Sequence, residues 1–192
     1  RKLPFVLSVV GLDVSLPVLL LSVADPERLP GVGTAVAQVT STDMGAGAAW
    51  LDLENDGDLD LLYLTPGGGI VMLRRDATAF VDVTESAIPL AARTTGRPAV
   101  GAAAGDLNND GFTDLFLTMN GENILLLNEG AGAFRRADKP AGIDGKALSA
   151  SAALFDADGD GLLDIYVANY VGAANKFYRC LSIAPDGTPV YE

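Results

Sequence analysis

The sequence predicts an all-β fold built from four-stranded antiparallel units of the β-propeller type, and three observations support this. First, an acidic motif occurs three times, as "DLENDGDLD" at Asp52, "DLNNDGFTD" at Asp106 and "DADGDGLLD" at Asp156. Second, each copy follows a run of small residues and precedes an apolar run rich in residues that favour strands. Third, the spacings of 54 and 50 residues are typical of repeat architectures such as propellers.

Each repeat is predicted to contain the same strands in the same order. The runs "GAAWL", "GAAAG" and "SAALF" form a first strand of small residues, which suits crowding around a propeller axis. The second strands are "LLYLT", "LFLTM" and "IYVAN". Turns at Gly67–Gly69 and Asn120–Gly121 lead to third strands "IVMLR" and "ILLLN", and "AFVDVT" and "AFRRAD" are outer strands. The chain therefore supplies about three to three and a half blades, with a sandwich or a stack of hairpins as the alternative.

The N-terminal segment, residues 1–24, allows two interpretations. Residues 3–24 are almost uncharged, follow "RK" and end in "SVA", which resembles a signal-peptidase site. However, Asp13 and two prolines divide them into apolar pieces shorter than the ~20 residues of a membrane-spanning helix. The segment also aligns with the later strands of the second repeat. We expect residues 1–24 to be partial-blade strands or a signal or membrane-anchor segment, and residues 25–192 to be the propeller repeats.

Composition excludes several classes of function. The net charge of −12 argues against a nucleic-acid partner, which requires a surplus of Lys and Arg on one face. The chain has no histidine, which excludes histidine-based zinc sites and Ser-His-Asp triads. Its single cysteine, Cys180, excludes a disulfide within the chain and a thiolate cluster. A cation is therefore the expected ligand.

The acidic motif has the form D-x-[DN]-x-[DN]-G-x-x-D, and its dense oxygen ligands suit calcium better than magnesium. The glycine at position 6 permits a sharp turn. An EF-hand would place a bidentate glutamate at position 12, where this chain has Tyr63, Leu117 and Val167 inside predicted strands. The prediction is a strand-loop-strand clip that binds calcium, with up to three ions per chain. A plain Asp-Gly turn is the alternative for any single copy.

The predicted ligands form one set for each loop, at residues 52–60, 106–114 and 156–164. The third set is rich in carboxylates, the second contains neutral Asn108, and the first has the longer Glu54 at position 3. Position 7 contributes a backbone carbonyl in each loop. The three sets are Asp52, Glu54, Asp56, Asp58 and Asp60; Asp106, Asn108, Asp110, Phe112 and Asp114; and Asp156, Asp158, Asp160, Leu162 and Asp164.

These motifs resemble the FG-GAP and VCBS repeats of integrin-α-like β-propellers. The phrases "GAAWLDLENDGDLDLLYL" and "DADGDGLLDIYVANYV" are most similar in style to the secreted and periplasmic group of cartilage acidic protein and ASPIC/UnbV domains. The resemblance extends from about Leu21 to the C-terminus. It implies calcium in the blade loops and an extracellular or periplasmic location.

The resemblance also implies a closed propeller of about seven blades. This chain would then be completed by further sequence or by another subunit, or it would be an open segment. Members similar to "DIYVANYV" often carry an inserted loop with a cysteine pair. Cys180 is therefore either one half of a disulfide or a free, partly buried thiol.

The expected function is that of a non-catalytic, calcium-binding propeller segment for protein–protein or cell-surface interaction. Its partner would be another protein or further blades of the same propeller. One alternative is an accessory subunit of a membrane-bound assembly, anchored through residues 3–24. Another is a propeller-scaffold enzyme, a lyase or hydrolase. Catalysis is disfavoured because 12 of the 25 acidic residues lie in the three loops, where metal binding explains them.

Overall fold

A computed structural model describes residues 47–65, 68–170 and 172–192 of the chain. These residues form antiparallel sheets and two short helices, which confirms the predicted all-β class and is consistent with a partial propeller. The predicted N-terminal segment, residues 1–24, and Gly67 of the first predicted turn lie outside the described residues. Within the described ranges, none of the helices has the length and apolar character needed to cross a membrane.

The first blade is a four-stranded sheet in simple sequential order, as the sequence predicts. Its strands are β1 (Ala48–Leu51), β2 (Asp60–Leu64), β3 (Ile70–Asp76) and β4 (Ala79–Asp82). Two helices of four residues each, α1 (Thr84–Ala87) and α2 (Leu90–Arg93), connect this blade to the second. These helices were not predicted from the sequence.

The second blade also contains four strands. They are β5 (Ala99–Gly105), β6 (Asp114–Glu122), β7 (Ile124–Asn128) and β8 (Phe134–Arg136). The chain reverses between Leu117 and Ile124, as predicted, but Asn120 and Gly121 lie inside β6 rather than in a turn. The strand is prolonged because its far end pairs with the third blade rather than with its own neighbours.

The third blade continues the sheet of the second. Its strands are β9 (Lys146–Phe155), β10 (Asp164–Asn169), β11 (Lys176–Tyr178), β12 (Cys180–Ile183) and β13 (Pro189–Tyr191). The start of β9 pairs with the end of β6, so one sheet has the order β11-β10-β9-β6-β7-β8, with β5 also on β6. A single residue separates β11 from β12, and β13 pairs with β12. The β12–β13 hairpin therefore forms a separate two-stranded sheet.

Neighbouring blades pack face to face through two apolar clusters. The first cluster joins Leu62 and Met72 of the first blade to Leu115 and Leu117 of the second. The second joins one face of the second blade to Ile165 and other residues of the third. The first and second blades thus each bury one face against the blade that follows in sequence.

The small residues of the first strands let these inner strands approach closely. A Cβ atom added to Gly47 would lie 2.8 Å from the Cα atom of Gly101 in the next blade. A Cβ atom on Gly101 would lie 2.8 Å from Thr118 Oγ1 and 3.1 Å from the carbonyl oxygen of Ala150. These distances are shorter than normal contacts, which explains why glycine and alanine occupy the first strand of each repeat.

Candidate metal centre

The three acidic loops link the first and second strands of the three blades, between β1 and β2, β5 and β6, and β9 and β10. Position 6 has positive φ in each loop, with 89° at Gly57, 89° at Gly111 and 85° at Gly161. Position 4 is also left-handed, at Asn55, Asn109 and Gly159. Two left-handed residues turn the backbone sharply, and asparagine and glycine tolerate this conformation best. The turn at position 6 was predicted from the sequence, whereas the left-handed residue at position 4 was not.

The aspartate at position 1 accepts hydrogen bonds from backbone amides later in its own loop. In the first loop, Asp52 accepts from the N–H groups of Asp56 at 2.9 Å and Gly57 at 2.8 Å. Asp106 and Asp156 make the corresponding contacts. The pKa of Asp156 lies below its usual value, chiefly because the Gly161 N–H donates a hydrogen bond to this carboxylate. These contacts keep the position-1 carboxylate at the centre of the turn.

The aspartate at position 9 is buried and joins two parts of its blade. In the second loop, Leu107 N–H donates to Asp114 Oδ2 and Asn128 N–H donates to Asp114 Oδ1, each at 2.8 Å. Asp60 and Asp164 accept equivalent bonds from position 2 of their loops and from the third-strand side of their blades. The position-9 carboxylate therefore ties the start of the loop to the rest of the sheet, a role that the sequence analysis missed.

Burial makes the negative charge at position 9 unfavourable. Burial, helped by the nearby charges of Asp110 and Asp106, raises the pKa of Asp114 to about 7 despite the two backbone N–H donors. Burial also raises the pKa of Asp60. A proton or a cation at the loop would relieve this cost.

Position 3 differs in each loop. Glu54 reaches Arg74, with Oε1 and Nη1 3.2 Å apart, while Asp158 Oδ2 lies 3.9 Å from Arg179 Nη1. Asn108 donates to Asp110 Oδ2 at 2.8 Å and to the Gly187 carbonyl at 3.1 Å. Among the described residues, the ion pairs made to the loops all involve position 3. In the described part of the chain, the carboxylates at positions 1, 5 and 9 therefore make no ion pair within 4 Å.

The third loop brings its carboxylates closest to the arrangement of a metal site. One carboxylate oxygen each from Asp156, Asp158 and Asp164 lies within 4.8 Å of the others. The donors are all hard oxygens, and two of the three residues are exposed while Asp164 is buried. This donor chemistry fits a hard divalent cation such as calcium. Asp160, the remaining predicted carboxylate ligand, accepts a hydrogen bond from Leu162 N–H at 2.8 Å.

The loops also contact one another through position 4. Asn55 donates its side-chain amide to the carbonyl of Gly111 at 3.4 Å, and Asn109 donates to the carbonyl of Gly161 at 2.9 Å. The third loop has Gly159 at this position, which has no side chain to extend the series. The three loops therefore lie side by side at one end of the blades. The Asn-Asn-Gly pattern at position 4 is the sequence signal that marks this contact.

The buried carboxyl of Asp114 predicts a pH dependence of stability in chelator-treated protein. Its pKa rises from the ordinary 3.8 to about 7 on folding. Between these values the folded state keeps a proton that the unfolded state has released. The free energy of unfolding should therefore fall as pH rises, by at most about 1.4 kcal/mol per pH unit. Urea unfolding between pH 4 and 7 should show this loss in the natural chain and not in Asp114→Asn; equal slopes would contradict it.

Comparison with known protein families supports the repeat that the sequence predicts. Residues 52–117 and residues 106–167 each match the FG-GAP-like repeat family. Both matches begin at the first aspartate of an acidic loop, and together they cover more than half of the chain. Among curated proteins, no relative matches this chain.

Proposed function

This chain belongs to the FG-GAP-like repeat family, and on that premise we propose that it is a calcium-stabilised propeller segment that mediates protein–protein interaction. FG-GAP repeats generally form propeller-like interaction modules, and the family is generally non-catalytic. We also propose that the three loops bind calcium and that the segment acts outside the cytosol, where calcium is abundant.

The carboxylate cluster of the third loop is the observation that most directly supports calcium. Asp156, Asp158 and Asp164 place oxygens within 4.8 Å of one another, and among the described residues the one ion pair to this cluster joins Arg179 to Asp158 at 3.9 Å. Such a concentration of negative charge is unfavourable without a cation. Calcium accepts six to eight oxygen ligands at flexible geometry, so the carboxylates and backbone carbonyls of one loop can hold it.

The three loops are expected to bind calcium unequally. The second loop replaces one carboxylate by neutral Asn108, which lowers the ligand charge. In the first loop, Glu54 is paired with Arg74, so an ion would compete with that guanidinium for the carboxylate. We therefore propose that the third loop has the highest affinity.

Calcium would act on the fold rather than on a reaction. Each loop joins the first two strands of a blade, and its position-9 aspartate also holds the third-strand side. An ion at the loop would neutralise the buried carboxylate and keep these contacts in place. An ion that binds only the folded state stabilises it by about 2.7 kcal/mol at a hundredfold excess over Kd.

Thermal unfolding with and without calcium tests the proposal. We expect the melting temperature of chelator-treated protein to rise on adding calcium, by an amount that increases with calcium concentration, and to rise less with magnesium. Asp156→Asn should lose part of this rise because it removes a ligand of the strongest site. Asp58→Asn is the control, since position 7 contributes only its backbone carbonyl. A melting temperature that is unchanged by calcium would refute calcium binding.

A further inference from the structure

A pocket of about 450 Å³ lies at the end of the second and third blades that is opposite the acidic loops. Strand β6 begins at Asp114, the last residue of the second loop, and ends at Glu122 in the wall of this pocket. Since a strand rises about 3.3 Å per residue, roughly 26 Å of strand separates them. Strand β9 runs the other way, from Lys146 in the pocket wall to Phe155, just before the third loop. The pocket is therefore separate from the candidate metal centre.

Four parts of the chain form the walls of this pocket. They are the segment that joins α2 to β5, the end of β6, the end of β8 and the start of β9. Ala147 and Leu148, both partly exposed, provide apolar surface. Three basic side chains also line the pocket, each from a different part of the wall: Arg97, Arg136 and Lys146. Such a volume, with apolar surface and a few polar groups, is typical of ligand sites. We refer to it as the basic pocket.

The charge of the basic pocket contrasts with that of the whole chain. The chain has 13 basic and 25 acidic residues, yet among the described residues that line the pocket three are basic and one, Glu122, is acidic. The pKa of Glu122 lies below its ordinary value, first because Lys146 donates a hydrogen bond to it. The positive charges of Lys146, Lys139 and Arg136 lower it further. The surroundings of Glu122 therefore favour a negative charge.

Two of the three basic side chains are already paired with carboxylates. Arg136 donates from Nη2 to Asp138 Oδ2 at 3.0 Å, and from Nη1 to the carbonyl oxygen of Ala91 at 2.9 Å. Lys146 Nζ lies 3.1 Å from Glu122 Oε1. These contacts hold the two cations at the pocket wall and balance their charges. A third positive charge, on Arg97, remains to be balanced.

Arg97 lies across the end of β6. A Cβ atom added to Gly121 would lie 2.5 Å from Arg97 Cδ and 3.1 Å from its Nε, so the side chain rests on the strand backbone. Gly121 is buried, although Asn120 and Glu122 on either side of it are exposed. Within the part of the chain that the structure describes, Arg97 makes no ion pair, and its guanidinium donates one long hydrogen bond, 3.4 Å to the Asn120 carbonyl oxygen. Since a guanidinium has five N–H donors, others are left for a ligand.

These features favour a carboxylate as the ligand. The planar fork of an arginine matches the two oxygens of a carboxylate, and the apolar surface beside it suits the methylene groups of an acidic side chain. One unbalanced positive charge also matches one carboxylate. A phosphate group carries about −1.5 to −2 charges near neutral pH and would leave negative charge in excess.

The exposure of the rim indicates that a larger molecule presents this carboxylate. The Lys146 side chain is 76% exposed and that of Glu122 is 45% exposed. Pockets for free small molecules usually bury most of the ligand surface, which an open rim of this kind does not do. A side chain that projects from a partner surface can enter the pocket while the partner covers the rim.

We propose that the basic pocket binds an acidic side chain of a partner protein, with Arg97 as the principal contact and Arg136 and Lys146 as supporting charges. The proposal rests on the interaction role proposed above, for which it names the chemistry of the partner. It does not depend on calcium, because the pocket and the loops lie at opposite ends of β6. One such contact orients a partner and selects it by charge, while the rest of the interface supplies most of the affinity.

Nuclear magnetic resonance titration of the isotope-labelled chain tests this site. The probe is the blocked peptide acetyl-Gly-Gly-Glu-Gly-Gly-amide, and the same peptide with glutamine in place of glutamate is its neutral control. We expect the amide signals of Gly121 and Ala147 to shift and saturate with the glutamate peptide and to stay unchanged with the glutamine peptide. The shifts should diminish as salt is added, because the contact is between exposed charges.

Three variants show whether Arg97 makes the contact. Arg97→Gln should weaken binding about tenfold, the factor that a hydrogen bond to a charged group typically contributes. Arg97→Lys keeps the charge but loses the planar fork, so its affinity should be intermediate. Arg75→Gln is the matched control, because it removes the same charge at an exposed position outside the pocket and should bind like the natural chain.

Several results would overturn the proposal. They are the absence of shifts at Gly121 and Ala147, equal shifts with the two peptides, and unchanged affinity in Arg97→Gln. Binding of free N-acetylglutamate without binding of the peptide would also overturn it, because the pocket would then take a small molecule. All samples contain calcium, whose own effect is judged from melting temperature. Calcium stabilisation without peptide binding would refute the pocket alone, and peptide binding without calcium stabilisation would refute calcium alone.

Discussion

Replacing Asp114 by alanine is expected to lower the free energy of unfolding by about 2–5 kcal/mol, because two buried donors lose their acceptor. The Leu107 and Asn128 N–H groups both donate to this carboxylate at 2.8 Å, and Asp114 is fully buried. Neither amide can reach water without opening the end of the second blade. Urea unfolding monitored by circular dichroism would measure the loss.

Asp58→Ala is the matched control, since it removes a loop carboxylate that lies at position 7 and is only half-buried. Its effect should remain below about 1 kcal/mol, as for most surface substitutions. If Asp114→Ala and Asp58→Ala cost the same, the position-9 carboxylate does not hold the blade together as described. Asp114→Asn separates charge from shape, because it keeps one oxygen acceptor in the same place.

Replacing Phe116 by alanine should cost about 3–5 kcal/mol, the usual range for an aromatic side chain deleted from a core. Phe116 is fully buried between the second and third blades, in the cluster that contains Ile165 and Val167. The cavity would lie at the interface between blades, where the paired backbone of β6 and β9 limits collapse. Chemical unfolding in dilute solution would measure the change.

The repeat itself offers the control for this second substitution. Tyr166 occupies the same register position in the third blade but is exposed. Tyr166→Ala should cost less than about 1 kcal/mol. Equal costs at the two positions would contradict the difference in burial between Phe116 and Tyr166.

Much of the fold could be predicted because the same sequence pattern occurs in three repeats, and each copy supports the structure predicted for the others. The small-residue runs, the acidic loops and the apolar strands correspond to β1 and β2, β5 and β6, and β9 and β10. Side chains alternate between the two faces of a strand, and a sharp turn at position 6 favours glycine; both features depend on local chemistry alone. The ligand assignments and the predicted calcium rest on the same local pattern, and they remain predictions.

The parts that could not be predicted depend on contacts between blades. Asn120 and Gly121 have the composition of a turn, but pairing with Leu148 and Ala147 of β9 draws them into β6. The helices α1 and α2 have only four residues each, too few to show a helical period in the sequence. The pairing of Glu54 with Arg74 likewise joins residues twenty positions apart, on a loop and a neighbouring strand.

Because β6 pairs with β9, the second and third blades form one unit, while the first blade forms another. Asn120, Gly121 and Glu122 share backbone register with the start of β9, and Lys146 Nζ lies 3.1 Å from Glu122 Oε1. The first blade has its own sheet and meets the second through side-chain packing and single hydrogen bonds, such as the one from the Asn128 side-chain amide to the Leu53 carbonyl at 2.9 Å. Repeat proteins open in units set by such nearest-neighbour contacts. The first blade can thus part from the second by separating packed side chains and single hydrogen bonds, whereas the second and third must break a shared backbone ladder.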